Sequence, residues 1–348
     1  MVKVGIIGCG KITQVRHAPE YHENPDCELV GYYDPIPGRA DDMAKLYGGK
    51  AYDSIDSLLK SGIDAVSVCV ANTSHAEISI KALNAGKHVL CEKPMATTLA
   101  DCEAMVKAAD EAHKFLMIGQ NQRLAKAHVK AHELIRNGEI GRVITFHTTF
   151  GHPGPEGWTG VRDSWFFDKK KAAFGAMADL GVHKTDLMHY LLDDVITEVT
   201  AKIGTLDKTT SDGKPISVDD NAYCIYKTRK GVIGTLHVSW TFYGQENNST
   251  DIYGTDGELH CYADPNYSLV VIKRDGTKAF YVMDQMTSNK EQTSGARTST
   301  GVIDAFIHSI VTNTPPAISG REAMKAMKVI FAAEKSAESG MTVKVDQD

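Results

Sequence analysis

With 348 residues, 42% of them apolar, the chain is long enough to bury two cores and has no stretch of disordered composition. A formal net charge of −6 without Lys/Arg blocks argues against nucleic acid or an anionic membrane as partner and points to a small molecule. The seven cysteines (Cys9, Cys27, Cys69, Cys91, Cys102, Cys224, Cys261) show no CxxC or zinc spacing, the first residues carry no leader pattern, and no apolar span of about 18 residues occurs. The expectation is a soluble, cytoplasmic protein in a reducing compartment.

The apolar run 2–7 leads straight into Gly8-Cys9-Gly10-Lys11-Ile12-Thr13, which reads as a strand, a tight turn and a helix start. Glycine at Gly8 permits the sharp turn, glycine at Gly10 lets backbone approach phosphates, and helix N-terminal amides near Lys11 and Ile12 face the negative charge. Thr13 stands where a third small residue is usual, implying weaker helix-to-strand packing or a wider approach. A second apolar run, 28–33, ends in Asp34, 24 positions after Gly10. An acid at that distance is placed for the adenosine ribose hydroxyls and repels a 2′-phosphate, so NAD is favoured over NADP. Arg39 either offsets that repulsion in part or is a solvated residue opening the next helix.

The first third alternates strands (2–7, 28–33, 65–70, 88–91, 115–118) with helices (38–47, 74–85, 99–113), the pattern of a parallel sheet covered by helices. After Gly119 the pattern changes, so the boundary falls at 121/122, giving a dinucleotide-binding Rossmann domain over 1–121 and a substrate-binding and oligomerisation domain over 122–348. The second part opens with a helix over 126–135, a strand beginning at Val143 and a helix over 178–192. Successive strands follow between 195 and 283, with turns at Lys230-Gly231, Asp256-Gly257 and Asp275-Gly276. They predict an α+β domain with a large, mixed, mostly antiparallel open sheet and helices on one face. The polar stretch 287–300 is a loop or a substrate-side flap. Helices over 301–312 and 321–339, separated by Pro315-Pro316, close the chain.

Four motifs in this order are similar to one family: Gly8/Gly10, Asn72-Thr73-Ser74-His75 after the 65–70 strand, Glu92-Lys93-Pro94 after the 88–91 strand, and Asp179-Leu180-Gly181-Val182-His183. The chain resembles the glucose–fructose oxidoreductase/inositol dehydrogenase (Gfo/Idh/MocA) family over nearly its whole length. The resemblance implies a Rossmann domain followed by an open-sheet domain that often builds homodimers or homotetramers. It also implies oxidation or reduction of sugars, cyclitols and related polyols with a nicotinamide cofactor. It adds Ala71, Asn72, His75, Glu92, Lys93 and Gln120 to the cofactor site. Asn121 and Arg123 are implied beside nicotinamide and substrate. Ala71 replaces a frequent proline, and Ala173-Phe174-Gly175 stands where a glycine run is common, a change that would reshape the substrate pocket.

Hydride transfer from an alcohol needs a proton acceptor, a stabiliser for the developing alkoxide and a close nicotinamide. An ammonium such as Lys93, near a bound cofactor and low-dielectric walls, suits either of the first two roles; otherwise it is a solvated loop lysine. Asp179 and His183 lie four apart, on one face of a helical segment. The carboxylate would set the imidazole tautomer; the alternative is an ordinary surface pair. The residues leave open whether Lys93 or His183 takes the proton. The assignment made is His183 as base, Lys93 on the reacting oxygen, and Asp179 orienting His183 and a substrate hydroxyl. His152, Trp158, Arg162 and Trp165 crowd a Gly/Pro-rich segment, supplying either the aromatic faces and donors a sugar ring needs or an ordinary loop anchored by indoles. His183, Asp186 and His189 step by three around a helix, a poor metal spacing, so no metal is expected. The sequence thus predicts an NAD-dependent dehydrogenase acting on a secondary alcohol of a sugar, sugar derivative or cyclitol. Two alternatives are an NAD-recycling elimination through a transient keto-sugar and a non-catalytic dinucleotide or sugar sensor.

Overall fold

In a computed structural model of the chain, residues 1–283, 285–286 and 299–348 are described, so the predicted loop or flap at 287–300 lies outside them except for its last two residues. The chain divides into two compact units, Met1–Gln120 with Ser299–Met324, and Asn121–Thr298 with Lys325–Asp348.

The first unit is built on a parallel six-stranded sheet, order β3-β2-β1-β4-β5-β6. Its strands are β1 (Val2–Ile7), β2 (Cys27–Tyr33), β3 (Lys50–Ala51), β4 (Ala65–Val68), β5 (His88–Cys91) and β6 (Leu116–Ile118). Val4, Ile6, Ile7, Val66, Val68, Val89 and Leu90 are fully buried, because a parallel sheet hides both faces, and this is why its strands read as unbroken apolar runs. Two elements escaped the sequence reading. β3 has two residues, and the helix Ile55–Leu59 has five, too few to show a period; Ser54 starts that helix by accepting from the Ser57 amide at 3.2 Å.

The chain returns to this unit near its end, which a single boundary at 121/122 does not provide for. Local bonds draw it back: the Ile118 amide donates to the Ile318 carbonyl at 3.0 Å, and Met117 bridges Ser319. Glu20 accepts from the Thr300 amide and hydroxyl, and Asn24 donates to Asp304 beside the helix Val302–Thr312.

The second unit carries a nine-stranded sheet, order β14-β13-β12-β11-β7-β10-β9-β8-β15. Its strands are β7 (Val143–Gly151), β8 (Ile196–Gly204), β9 (Asn221–Thr228), β10 (Ile233–Ser239), β11 (Thr250–Gly254), β12 (Gly257–Cys261), β13 (Leu269–Lys273), β14 (Lys278–Tyr281) and β15 (Val343–Lys344). Among the described residues of this sheet, only the β10/β7 pair is parallel. Alternation sorts the faces: Phe146, Leu236, Val238, Tyr226, Ile252 and Leu259 point to the core, while Tyr223, Ile225 and Ile233 stand more than half exposed opposite. The helix Val182–Leu192 is buried along nearly its whole length, so it carries the core rather than lying on the surface.

Candidate active site

In the first unit the glycine turn has the shape a dinucleotide needs. Gly8 adopts φ +94°, and a Cβ there would sit 2.2 Å from the Cys69 carbonyl oxygen, so no other residue fits. A Cβ on Gly10 would meet nothing within 4 Å, which leaves the backbone open to an approaching pyrophosphate. Thr13 is fully buried and its hydroxyl donates to the Gly8 carbonyl at 2.6 Å. The anticipated loosening by Thr13 is therefore replaced by a bond that staples the turn to the following π turn, Thr13–His17. Lys11 and Ile12 lie half-buried between them.

Asp34 accepts from the Cys9 amide at 2.7 Å and from the Ile36 amide at 2.8 Å. A carboxylate has about four lone-pair sites, so acceptor capacity remains for ribose hydroxyls. The Cys9 bond also fixes that carboxylate in register with the glycine turn. Arg39 is exposed at the start of the helix Arg39–Tyr47.

The Glu92-Lys93-Pro94 turn is held from both sides. Glu92 takes the His17 ring Nε2 at 2.8 Å and the Lys93 amide at 3.2 Å, and Gly119 makes room, since a Cβ there would lie 3.0 Å from the Glu92 Oε1. Burial opposes the charge on both partners, but the neighbouring Cys69 sulfur and Glu92 hold His17 well above its ordinary value, and His17 and Lys93 hold Glu92 down to about 2. Ser67 bridges the other ring nitrogen of His17 to the Tyr21 hydroxyl. On the far side His75 places one ring nitrogen 2.7 Å from the Pro94 carbonyl and the other 3.2 Å from the Val70 carbonyl. Burial keeps this imidazole neutral, so its single N–H serves one carbonyl, and the shorter contact is to Pro94. Asn72 is buried in the short turn Asn72–Ser74 after Ala71. Gln120 is fully buried and, among the described residues, neither atom of its side-chain amide meets a protein partner. Together with the open approach at Gly10, that orphaned amide fits a bound dinucleotide.

In the second unit Asp179 lies in a π turn, Met177–Gly181, and His183 in the first turn of the helix that continues it. The sequence reading expected one regular helix; the wider turn re-aims Asp179 relative to His183. Asp179 is 8% exposed and accepts from the Trp240 indole Nε1 at 3.1 Å. Trp240 itself packs on Phe166, which carries Trp165 stacked at 4.0 Å and Trp158 edge-on at 5.9 Å. The Phe150 ring lies 6.2 Å from His183 and 5.9 Å from His152. Asp179, Trp158 and Trp165 are thus linked through Trp240 and Phe166, and His183 and His152 through Phe150.

Arg162 is exposed, and Asn121 is half-buried at the head of the turn Asn121–Leu124. Arg123 holds Asp186 in a buried two-pronged pair, 2.6 Å from Nε and 2.5 Å from Nη2, one helical turn beyond His183. His189 accepts the Ile196 amide at 3.1 Å, and burial, Arg123 and Lys325 lower its pKa to about 3. Among the described residues no cluster of three metal-ligating side chains occurs.

Several residues around these groups were not read from the sequence. His17, Trp240, Asp219 and Lys208 act across 42 or more residues of chain. A lone imidazole, a strand-end indole and an Asp-Asp pair carry no local signal of their partners.

The chain matches the family model for the Gfo/Idh/MocA oxidoreductases with an NAD-binding Rossmann fold over residues 2–120, and the Gfo/Idh/MocA C-terminal domain over residues 128–260. It is 30% identical to D-glucoside 3-dehydrogenase of Escherichia coli over 78% of this chain and 81% of that one. It is 27% identical to myo-inositol 2-dehydrogenase of Thermotoga maritima over 99% of both chains. The crystal structure of aldose-aldose oxidoreductase from Caulobacter crescentus, complexed with glycerol, superposes with a TM-score of 0.83 at 25% identity, covering 99% of both chains. An NAD-binding parallel unit followed by an open-sheet unit defines a nicotinamide-linked oxidoreductase. The chain belongs to the Gfo/Idh/MocA family.

Proposed function

We propose that this protein is an NAD-dependent dehydrogenase that oxidises a secondary alcohol of a sugar, sugar derivative or cyclitol. The observation that carries the reading is the buried Asp179 carboxylate, held by the Trp240 indole just ahead of His183 within an aromatic group suited to a sugar ring. His183 takes the hydroxyl proton, since an imidazole passes protons near neutral pH. Lys93 binds the reacting oxygen and its ammonium stabilises the alkoxide as charge develops. Asp179 orients His183 and a second substrate hydroxyl. A bound nicotinamide dinucleotide supplies the hydride acceptor. Gly8, Gly10, Lys11, Ile12, Ala71, Asn72 and Gln120 hold it, and Asp34 selects the unphosphorylated ribose, which favours NAD over NADP. Glu92 and His75 serve by fixing the turn that carries Lys93, and Arg123 by fixing the helix that carries His183. His152, Trp158, Trp165, Asn121 and Arg162 contact the substrate.

The exposed sheet face supports a homodimer or homotetramer. Tyr223 stacks on His237 at 3.9 Å there, beside the more than half-exposed Ile225 and Ile233, apolar groups that a second copy would cover. Light scattering of the purified protein tests it; a monomer at micromolar concentration would remove it.

The functional test is nicotinamide reduction with NAD or NADP and a panel of cyclitols, aldoses, anhydrosugars and simple glycosides. Steady reduction of NAD by one class is the expected result. Bound cofactor with no net reduction by any class would overturn the simple dehydrogenase and leave the recycled-cofactor elimination or the sensor.

A further inference from the structure

Asp219 and Asp220 adjoin in the chain just before β9, yet their carboxylates serve two different segments. Asp219 accepts from the Gly175 amide and from the Met177 amide, both at 2.7 Å. Those amides bracket the entry to the π turn that presents Asp179, whose own amide bonds back to the Gly175 carbonyl at 3.0 Å. Gly175 is pressed so closely on this strand that a Cβ would lie 1.8 Å from the Asp219 carbonyl oxygen. The Ala173-Phe174-Gly175 departure is thereby explained: the turn needs glycine only at its last position, where backbone meets backbone.

Asp220 is fully buried and gathers the amides of Leu206 at 2.7 Å, Asp207 at 2.8 Å and Lys208 at 2.7 Å, with the Asn221 amide group at 3.0 Å. From that turn Lys208 reaches the Pro153 carbonyl at 2.5 Å and the Glu156 carboxylate, with its ammonium 4.7 Å over the Tyr243 ring. Asp220 therefore fixes the clasp on the segment bearing His152 and Trp158.

We propose that Asp219 and Asp220 are adjacent positioning residues that divide the site between them: Asp219 holds the turn that aims Asp179, and Asp220 holds the wall that contacts the substrate. The inference rests on the active-site reading above. Both carboxylates work as acceptors of backbone N–H, so an Asn at either position turns one acceptor into a donor facing a donor.

The charge around Asp219 gives this arrangement a second handle. Asp220 adjoins it in the chain, Glu334 on the helix Gly320–Ser339 and the Cys224 thiol are within reach of its charge, and Lys169 and Glu338 in turn act on Glu334. Burial and the neighbouring acid push Asp219 up to about 6 and Glu334 up to about 7. Protonation of Asp219 weakens its hold on the turn as pH falls through about 6.

The experiment compares Asp219→Asn, Asp220→Asn, Asp179→Asn and Glu334→Gln in the full chain, with kcat, KM and NAD affinity read separately. Asp219→Asn is expected to lower kcat at least tenfold with KM and NAD affinity within threefold. Asp220→Asn is expected to raise KM at least tenfold with kcat within threefold. Glu334→Gln should leave the acid limb of kcat in place, because Glu334, at about 7, is already protonated when Asp219 titrates at about 6; a limb that moves with it belongs to Glu334 and not to Asp219. Loss of both parameters in both Asn variants, or no effect in either, overturns the proposal. If Asp219→Asn does not fold, an acid limb that shifts or disappears in Glu334→Gln overturns it. Asp179→Asn separates the two readings: wild-type kcat there removes the active-site assignment itself, whereas a crippled Asp179→Asn beside an active Asp219→Asn removes only the positioning role.

Discussion

The two units solve one problem with the same device at different ranges. In each, a carboxylate accepts a backbone amide from the loop that enters a π turn. Asp34 takes the Cys9 amide there, with the Ile36 amide of its own turn as second donor, and Asp219 takes the amides of Gly175 and Met177. In the first unit the loop is almost all backbone, glycines and amides of the kind a phosphate would meet, and its carboxylate lies one strand away. In the second unit the side chains proposed to react must themselves be aimed, and the groups that hold their turn arrive from 42 to 61 residues further along the chain. A cofactor cradle can therefore be written locally, whereas a side-chain site is assembled by the sheet.

The sharpest way to break that comparison is to remove the long-range pair that holds the Glu92-Lys93-Pro94 turn in the first unit. His17→Ala would leave Glu92 as a buried charge without its imidazolium, at a cost of about 3–5 kcal/mol, read as a fall in urea midpoint. The sign with pH follows from the two directions. His17, raised, contributes stability that is complete below its ordinary value of 6.5 and lost as pH rises through its folded value. Glu92, lowered from 4.5 to about 2, contributes stability that is complete above 4.5 and lost as pH falls toward 2. The pair stabilises most between those limits, so the wild-type advantage over His17→Ala should peak at about pH 4.5–6.5. A pH-independent difference would mean that His17 acts by packing alone.

Next in size is Trp240→Phe, which keeps most of the ring and removes the N–H from Asp179. A hydrogen bond to a charged group is worth about 1.5–3 kcal/mol, and kcat should fall by about tenfold with NAD affinity unchanged. Loss of NAD binding instead would show that the two units are not separable in the way the comparison holds. Asp34→Ala tests the first unit's local carboxylate. It should weaken NAD by about tenfold while NADP changes little, narrowing the preference; an unchanged ratio would show that Asp34 serves only the Cys9 and Ile36 amides.

The same contrast explains what the sequence made legible. The parallel sheet announced itself because both its faces are buried, and the glycine turn because Gly8 allows no substitute. The antiparallel strands were marked by their Gly turns. The four-residue step from Asp179 to His183 was visible, but the π turn beneath it was not, since nothing in Met177 to Gly181 differs in period from a regular helix until Asp219, just ahead of β9, bonds the turn entry. The resemblance implies Arg123 beside nicotinamide and substrate; its pair with Asp186, 63 residues away, carries no local signal. The return of Ser299–Met324 to the first unit was hidden for a like reason: backbone bonds such as Ile118 to Ile318 leave no trace in side-chain pattern.

The smallest expected effect is at Thr13, and it tests whether the local unit is as self-contained as it looks. By fingerprint alone, Thr13→Ala restores the small residue that packs helix against strand and should be neutral or stabilising. By the geometry it removes the hydroxyl that donates to the Gly8 carbonyl at 2.6 Å from a fully buried position. The net loss for such a bond is about 1 kcal/mol. Thr13→Val, which keeps the branched shape without the hydroxyl, should lose about as much, and both should weaken NAD severalfold through the loosened turn. If alanine proved more stable than threonine, the staple would be incidental and small size the governing factor. If valine lost stability and alanine did not, packing against the strand would outweigh the hydrogen bond. Equal losses would show that this chain closes its phosphate turn with a side-chain hydroxyl in place of a third glycine.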